Sequence, residues 1–385
     1  MTSKTTQPRL LDPSFGVEGK LDVRTPGNFS NDLSTVSMDT AERRLIIHGS
    51  YEREIPGLSI PGVAALIDDG AFDTRFGDMQ DGLTTAPPVN LAASVSSIAR
   101  LADGSFYVTG AAHSQLPLIN YDSDGKFISI RDIAESAQSS TPRLLGVDNM
   151  FMVATANSQG GVIYRRHADG EVDYSFGTAG KATFLSGNNY VSTLHMARSV
   201  TTPSFYLAGE LNNDGFILRM TDTGEADQHF AEGGVYKVRM MDARYTACRR
   251  VIELNDGKIL ALVTSSGDEK GAASYLIRLT AAGQVDPTFN RGEPLRVPGE
   301  IGEDITLQAD GKILVANRSL SSGNKLTRYF PEGSLDIEFG TDATGSITFT
   351  PEQIGFLKSV FVQPDGKIVV GGTSGSITTL LRLLA

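Results

Sequence analysis

The chain has 385 residues, 40% of them apolar and 21% charged, the balance of a folded globular protein rather than a disordered one. Its 34 basic and 45 acidic side chains leave a charge of −11, which repels phosphate backbones and speaks against nucleic acid or an anionic membrane as partner. The single cysteine, Cys248, excludes an intramolecular disulfide, and no apolar run is long enough to span a membrane as a helix.

The opening MTSKTTQPRL has no apolar segment of the secretory kind, so a cytoplasmic location is expected, with export by a signal-less route left open. Residues 1–7 read as a disordered tail and residues 8–385 as one domain. At Leu11 a recurring unit begins: Leu11-Asp12-Pro13-Ser14-Phe15-Gly16. It returns at Phe72–Gly77, Val172–Gly177, Ala226–Phe230, Val285–Phe289 and Leu335–Gly340. The aromatic falls at 15, 76, 176, 230, 289 and 339; one interval is twice the others, so a copy near 128 has decayed and the units number seven.

Ahead of each copy lies a β-hairpin signal, two apolar runs around Asp-Gly or a relative of it. It is weak near Leu45, Met150 and Phe205 and clearer in SIARLADGSFYVTG from Ser97. It is strongest in VIELNDGKILALV from Val251, ITLQADGKILVAN from Ile305 and VFVQPDGKIVVGG from Val360. Between hairpin and motif comes a strand ending in a polar turn, as in VIYRRHADG from Val162, FILRMTDTG from Phe216, YLIRLTAAG from Tyr275 and KLTRYFPEG from Lys325. A further strand follows each Phe-Gly turn. Four short strands in seven copies, with no competing helical periodicity, predict an all-β, seven-bladed β-propeller of four-stranded blades.

The chain ends predict how the ring closes. The last unit stops three residues beyond Arg382, whereas in a complete unit the motif starts seven residues after its Arg, as from Arg278 to Val285. Placing Pro8 directly after Ala385 puts Leu11 on that seventh position. Residues 8–24 are therefore expected to supply the outer strand of the C-terminal blade, which removes two exposed sheet edges.

The segments Gln308–Ile313, Gln363–Ile368, Arg278–Phe289 and Arg328–Gly340 resemble the delta-60 repeat (DUF5122-type) family of bacterial β-propellers. The resemblance covers nearly the whole chain, with the first three blades degenerate and blade two keeping Asp124-Gly125 but not the motif that follows. It implies a propeller and no general activity, so no catalytic residue is carried over. The absence of Trp removes the Trp-Asp signature of WD40 blades, and no kelch-type Gly-Gly pattern repeats.

Residues that recur from blade to blade are structural candidates. The motif Phe is expected to plug the base of each blade, and the motif Asp to cap its own turn by accepting backbone N–H bonds. Arg165, Arg219, Arg278, Arg328 and Arg382 stand eight residues before a motif Asp, the last one across the chain ends from Asp12, which predicts five Arg–Asp pairs. Blade two has Asn120 in place of the Arg, and blade one sets Ala65 opposite Asp73.

Candidates for function lie in the connections that vary. If the Asp-Gly and Phe-Gly turns share one face, these connections lie on the other, as binding loops on a rigid scaffold. They carry Tyr51, Arg53, Glu54, His113, Asn188, Asn189, Tyr190, Arg244, Tyr245, Glu300 and Glu303, groups suited to a glycan or a protein. His195 is placed on a strand near the channel, and the basic cluster Arg244, Arg249 and Arg250 reads as a solvated loop. The five histidines have no metal-ligand spacing, and Asn120–Gly125 reads as a hairpin turn without the acid a calcium loop needs. No dinucleotide, phosphate-loop or nucleophile-elbow pattern occurs, so no cofactor is called for. The leading expectation is a non-catalytic, monomeric scaffold that binds a protein or glycan partner through one face. The alternative is an enzyme, a lyase or hydrolase of a sugar or lactone, working at the channel mouth.

Overall fold

In the computed structural model the described residues are 10–384 without 25–30, 40–42, 53–58, 85–94, 111–115, 134–140, 268–270, 320–322, 341 and 376. The predicted tail, residues 1–7, lies outside them. Seven antiparallel sheets follow one another around a ring, each strand hydrogen-bonded to the next in sequence. Blade one runs from Asn31–Asp39 through Arg44–Glu52 to Ser59–Leu66, and its outer edge is short: Leu83 bridges Ala64, and Thr84 N–H donates to Val63 O. Blades two to six start at Val95–Arg100, Arg143–Val147, Val191–Arg198, Tyr245–Glu253 and Ile301–Leu307, and each has four strands.

Blade seven confirms the closure. Its inner three strands are Phe356–Val362, Ile368–Ser374 and Ile377–Leu383, and its fourth is Lys20–Val23, in register from Lys20 opposite Leu381 to Val23 opposite Thr378. Asp12 N–H donates to Arg382 O and Leu384 N–H to Leu10 O, so the two ends of the chain are tied again beyond the Lys20 end of that strand.

The core explains why the middle strands do not alternate. Each blade is covered on both faces by its neighbours, so a central strand such as Ser204–Leu211 is buried along its whole length. Seven apolar clusters result, one at each blade interface, for example Phe176, Phe205 and Leu218 between blades three and four.

All five predicted Arg–Asp pairs form. Nε of Arg165, Arg219, Arg278, Arg328 and Arg382 lies 2.6, 2.8, 2.7, 2.8 and 2.9 Å from its carboxylate. Each guanidinium also lies over the motif Phe of its own blade, at 4.7, 4.9, 4.9, 4.3 and 4.7 Å from the ring centre. The Asp caps its turn as expected, Asp286 Oδ1 accepting from Thr288 N–H at 3.0 Å. The aromatic ring abuts the following blade: a Cβ on Gly125, at φ +74°, would sit 2.4 Å from the Phe76 ring, so only glycine fits there.

The two degenerate blades keep this joint by other means. In blade one Arg44, from the second strand, lies 5.4 Å over Phe76 and 3.7 Å from Asp73, and its Nη2 donates to Ser123 O of blade two. In blade two Tyr107 stacks on Phe151 at 4.0 Å and donates its hydroxyl to Ala168 O of blade three.

Candidate functional site

The innermost strand of each blade forms the wall of the central channel. In six blades this strand carries a bulge against its neighbour, between Leu33 and Thr35, Val95 and Ser97, Thr193 and His195, Cys248 and Arg250, Gly302 and Asp304, and Leu357 and Ser359. A bulge inserts one unpaired residue and re-aims those beside it. The residue just after it then contacts the next blade: Val251 N–H donates to His195 Nδ1 at 3.3 Å and Val360 N–H to Asp304 Oδ2 at 3.1 Å. In blade three Leu144 N–H donates to Ser97 Oγ at 2.9 Å, which puts Arg143 at the same level without a bulge. One polar belt follows around the wall: Thr35, Ser97, Arg143, His195, Arg250, Asp304 and Ser359.

Charge is unevenly spread along the belt. Arg250 Nε pairs with Asp304 at 2.9 Å, while the bulged residues beside them make a second set, Glu303 held by Arg249 at 3.1 Å and by Arg318 at 3.0 Å. Burial, then the charges of Arg250 and Arg249, push Arg143 down to about 10. Burial, reinforced by Arg250 and Arg143, holds His195 well below the ordinary histidine range. His48, on the second strand of blade one, is lowered to about 4 by burial and by Arg143. The buried Cys248 thiol is pushed up to about 12 by desolvation, which leaves it without nucleophilic character at neutral pH.

The turns do share one face. They bond to one another from blade to blade, Gly177 N–H to Thr223 O, Ala231 N–H to Ala282 O and Asn290 N–H to Glu332 O. On the opposite face, at blades four and five, Tyr190 is 52% exposed and its N–H donates to Asn212 Oδ1. Asn212 Nδ2 donates to Asn189 Oδ1 at 2.8 Å, and Asn188 is exposed beside them. Tyr245 hydrogen-bonds Glu210; burial raises both, the Tyr245 phenol to about 12.

The structure thus brings Asn188, Asn189, Tyr190 and Tyr245 into one patch and adds Glu210 and Asn212. Glu303 is drawn into the channel ion pairs, and Glu300 Oε1 accepts from Ser319 at 3.4 Å, so neither joins that patch. Tyr51 lies on the second strand of blade one opposite Asn31, and Arg53, Glu54 and His113 fall outside the described residues. His195 lies on the inner strand Val191–Arg198. The reading of Arg244, Arg249 and Arg250 as one solvated loop is corrected: Arg244 is exposed, but Arg249 and Arg250 belong to the inner strand Tyr245–Glu253 and are held in ion pairs. The polar belt went unread, although Ser97, Arg250, Asp304 and Ser359 each stand six residues before the Asp of an Asp-Gly hairpin.

A cleft of about 660 Å³ opens on the turn face between blades five and six, with Leu254, Leu260, Leu307 and Ile313 beside Lys258, Arg278 and Glu332. Its Arg278 is already paired with Asp286. Among the described residues no group of three or more His, Cys, Asp or Glu is placed to hold a metal ion, and no helix is long and apolar enough to cross a membrane.

Three segments, 254–289, 308–339 and 363–385, match the model of a family described as a domain of unknown function (DUF5122) β-propeller, so the C-terminal region carries repeats of a propeller-type family. No curated protein matches the chain. Among solved structures, the Dos1 propeller is 11% identical with a TM-score of 0.51, over 91% of this chain and 77% of that one. Dihydro-heme d1 dehydrogenase NirN in complex with DHE is 11% identical with a TM-score of 0.52, over 94% and 68%. A putative gluconolactonase, 13% identical over 98% and 96%, reaches only 0.43. At such identities the first two likenesses are of fold alone, and the third carries nothing further.

Proposed function

We propose that the chain is a non-catalytic binding scaffold whose loop face, at blades four and five, engages a protein or glycan partner. The observation that carries this reading is the patch built by two adjacent blades: exposed Tyr190, the amide pair Asn189 and Asn212, and the Tyr245–Glu210 hydrogen bond. Tyrosine offers a large, stiff, amphipathic face at small entropic cost, and amides adapt their hydrogen bonds to what they meet. Met241, 91% exposed on the connection between the same two blades, enlarges the apolar part of the surface. The rigid ring beneath supplies preorganisation, which lowers the entropic cost of binding.

The enzyme reading has less support. A general base works best with a pKa near the operating pH, and His195 is held far below it with Nδ1 already accepting from Val251 N–H. The test compares the wild-type chain with Tyr190→Ala on a glycan array and in affinity capture. A ligand retained by the wild type and weakened at least about ten-fold by Y190A, at unchanged melting temperature, supports the patch. Ligands that bind both proteins alike refute it.

A further inference from the structure

We propose that the cleft on the turn face between blades five and six binds an uncharged, largely apolar small molecule. This site lies on the face opposite the Tyr190 patch and does not depend on it. Its volume of about 660 Å³ falls within the roughly 300–1,000 Å³ of small-molecule pockets. The floor is the open end of the apolar core between the two blades. Leu260 and Ile313 are buried in that core, while Leu254 and Leu307 pack against it and stay only partly buried. Leu254 stands two residues before the Asp of its Asp-Gly turn, where blades six and seven carry Gln308 and Gln363. Blade five therefore presents a leucine to the cleft, and on the blade-six side Gln308 gives its Oε1 to Arg328 of its own blade at 3.2 Å.

The charged groups around the floor are already matched within the protein. Arg278 donates from Nε to Asp286 at 2.7 Å, from Nη2 to Thr288 Oγ1 at 2.9 Å and from Nη1 to Pro331 O. Lys258 Nζ lies 3.4 Å from Asp286 and 3.5 Å from Asp256. Glu253 accepts from Ser199 Oγ, Thr201 Oγ1 and Tyr206 OH, and Glu332 accepts from Ser334 Oγ. An ionic ligand must break into one of these arrangements and strand a partly buried charge. A neutral ligand leaves them intact and gains by removing the exposed parts of Leu254 and Leu307 from water. Asn255, exposed at the rim, offers an amide to a polar end of such a ligand.

Fluorescence titration of the full chain with two probes tests the site: phenylnaphthylamine, which is uncharged, and anilinonaphthalene sulfonate, which adds a sulfonate to the same aromatic framework. Saturable, blue-shifted binding of the neutral probe, at least about ten-fold tighter than that of the anion, is expected. Ala309 lines the cleft from an exposed position on the Asp-Gly turn of blade six. Ala309→Trp fills the cleft and should weaken the neutral probe at least about ten-fold at unchanged melting temperature. Ala102→Trp, at the same position of the blade-two turn, should bind the probe as the wild type does. Absence of saturable binding overturns the proposal, as does anion binding as tight as that of the neutral probe. Equal affinity in A309W and the wild type, or equal weakening in A102W, overturns it too. Should A309W fail to fold, Asn255→Trp on the blade-five wall of the cleft gives the same reading.

Discussion

Replacing Arg382 by alanine tests the closure of the ring at a single side chain. Its buried guanidinium donates from Nε to Asp12 at 2.9 Å, from Nη2 to Ser14 Oγ at 3.0 Å and from Nη1 to Asp68 O of blade one, while lying over Phe15. Removing one half of a buried ion pair costs about 3–5 kcal/mol when the other charge is stranded. Loss of the ring contact adds about 0.5–2 kcal/mol. Asp12 is not fully stranded, because Lys367 Nζ is 3.3 Å away and Ser14 still donates its N–H and hydroxyl. The expected loss is therefore at the low end, about 3 kcal/mol. Arg328 is the control: it pairs with Asp336 at 2.8 Å, but its side chain is 14% exposed and its Nη1 reaches Gln308 of its own blade. Arg328→Ala should cost about half as much. Urea unfolding of both variants, with hydrogen exchange at Lys20–Val23, reads the difference. R382A no worse than R328A, or full protection of Lys20–Val23 in R382A, would refute the closure argument.

Two further perturbations follow from the same joints. Arg44→Ala removes the cation near Asp39 and Asp73 and the bond to Ser123 O, but Arg100 and Arg75, each at 2.9 Å, still hold the two carboxylates, so it should destabilise by about 3 kcal/mol in urea unfolding, and a loss under about 1 kcal/mol would show that blade one needs no substitute arginine. Burial raises Asp12 and Asp286, but bonds from Ser14 and Thr288, then Arg382 and Arg278, outweigh it and hold both carboxyls at about 2. With folded values below the unfolded ones, their contribution is complete above about pH 4 and is lost as pH falls towards 2. The urea midpoint should drop across that window; a flat profile there would contradict it.

Short-range patterns were legible without the fold. The Asp-Gly hairpins, the Arg–Asp spacing of eight and the motif Phe recur because contacts within one blade impose them on nearby residues. The split between Arg382 and Leu11 revealed closure for the same reason, since an incomplete unit shows its missing part. Where contacts join blades, the linear chain was silent. Arg44 replaces an arginine absent at position 65 by reaching from the adjacent strand, and Tyr107 of blade two replaces the lost motif Phe. Arg249 and Arg250 looked like loop residues because a bulge breaks the alternation that would have marked them as strand. The level shared by Arg143, His195 and Arg250 was set only when the inner strands packed around the channel. Inter-blade register depends on bulges and side-chain packing between segments roughly fifty residues apart, and no local spacing encodes it.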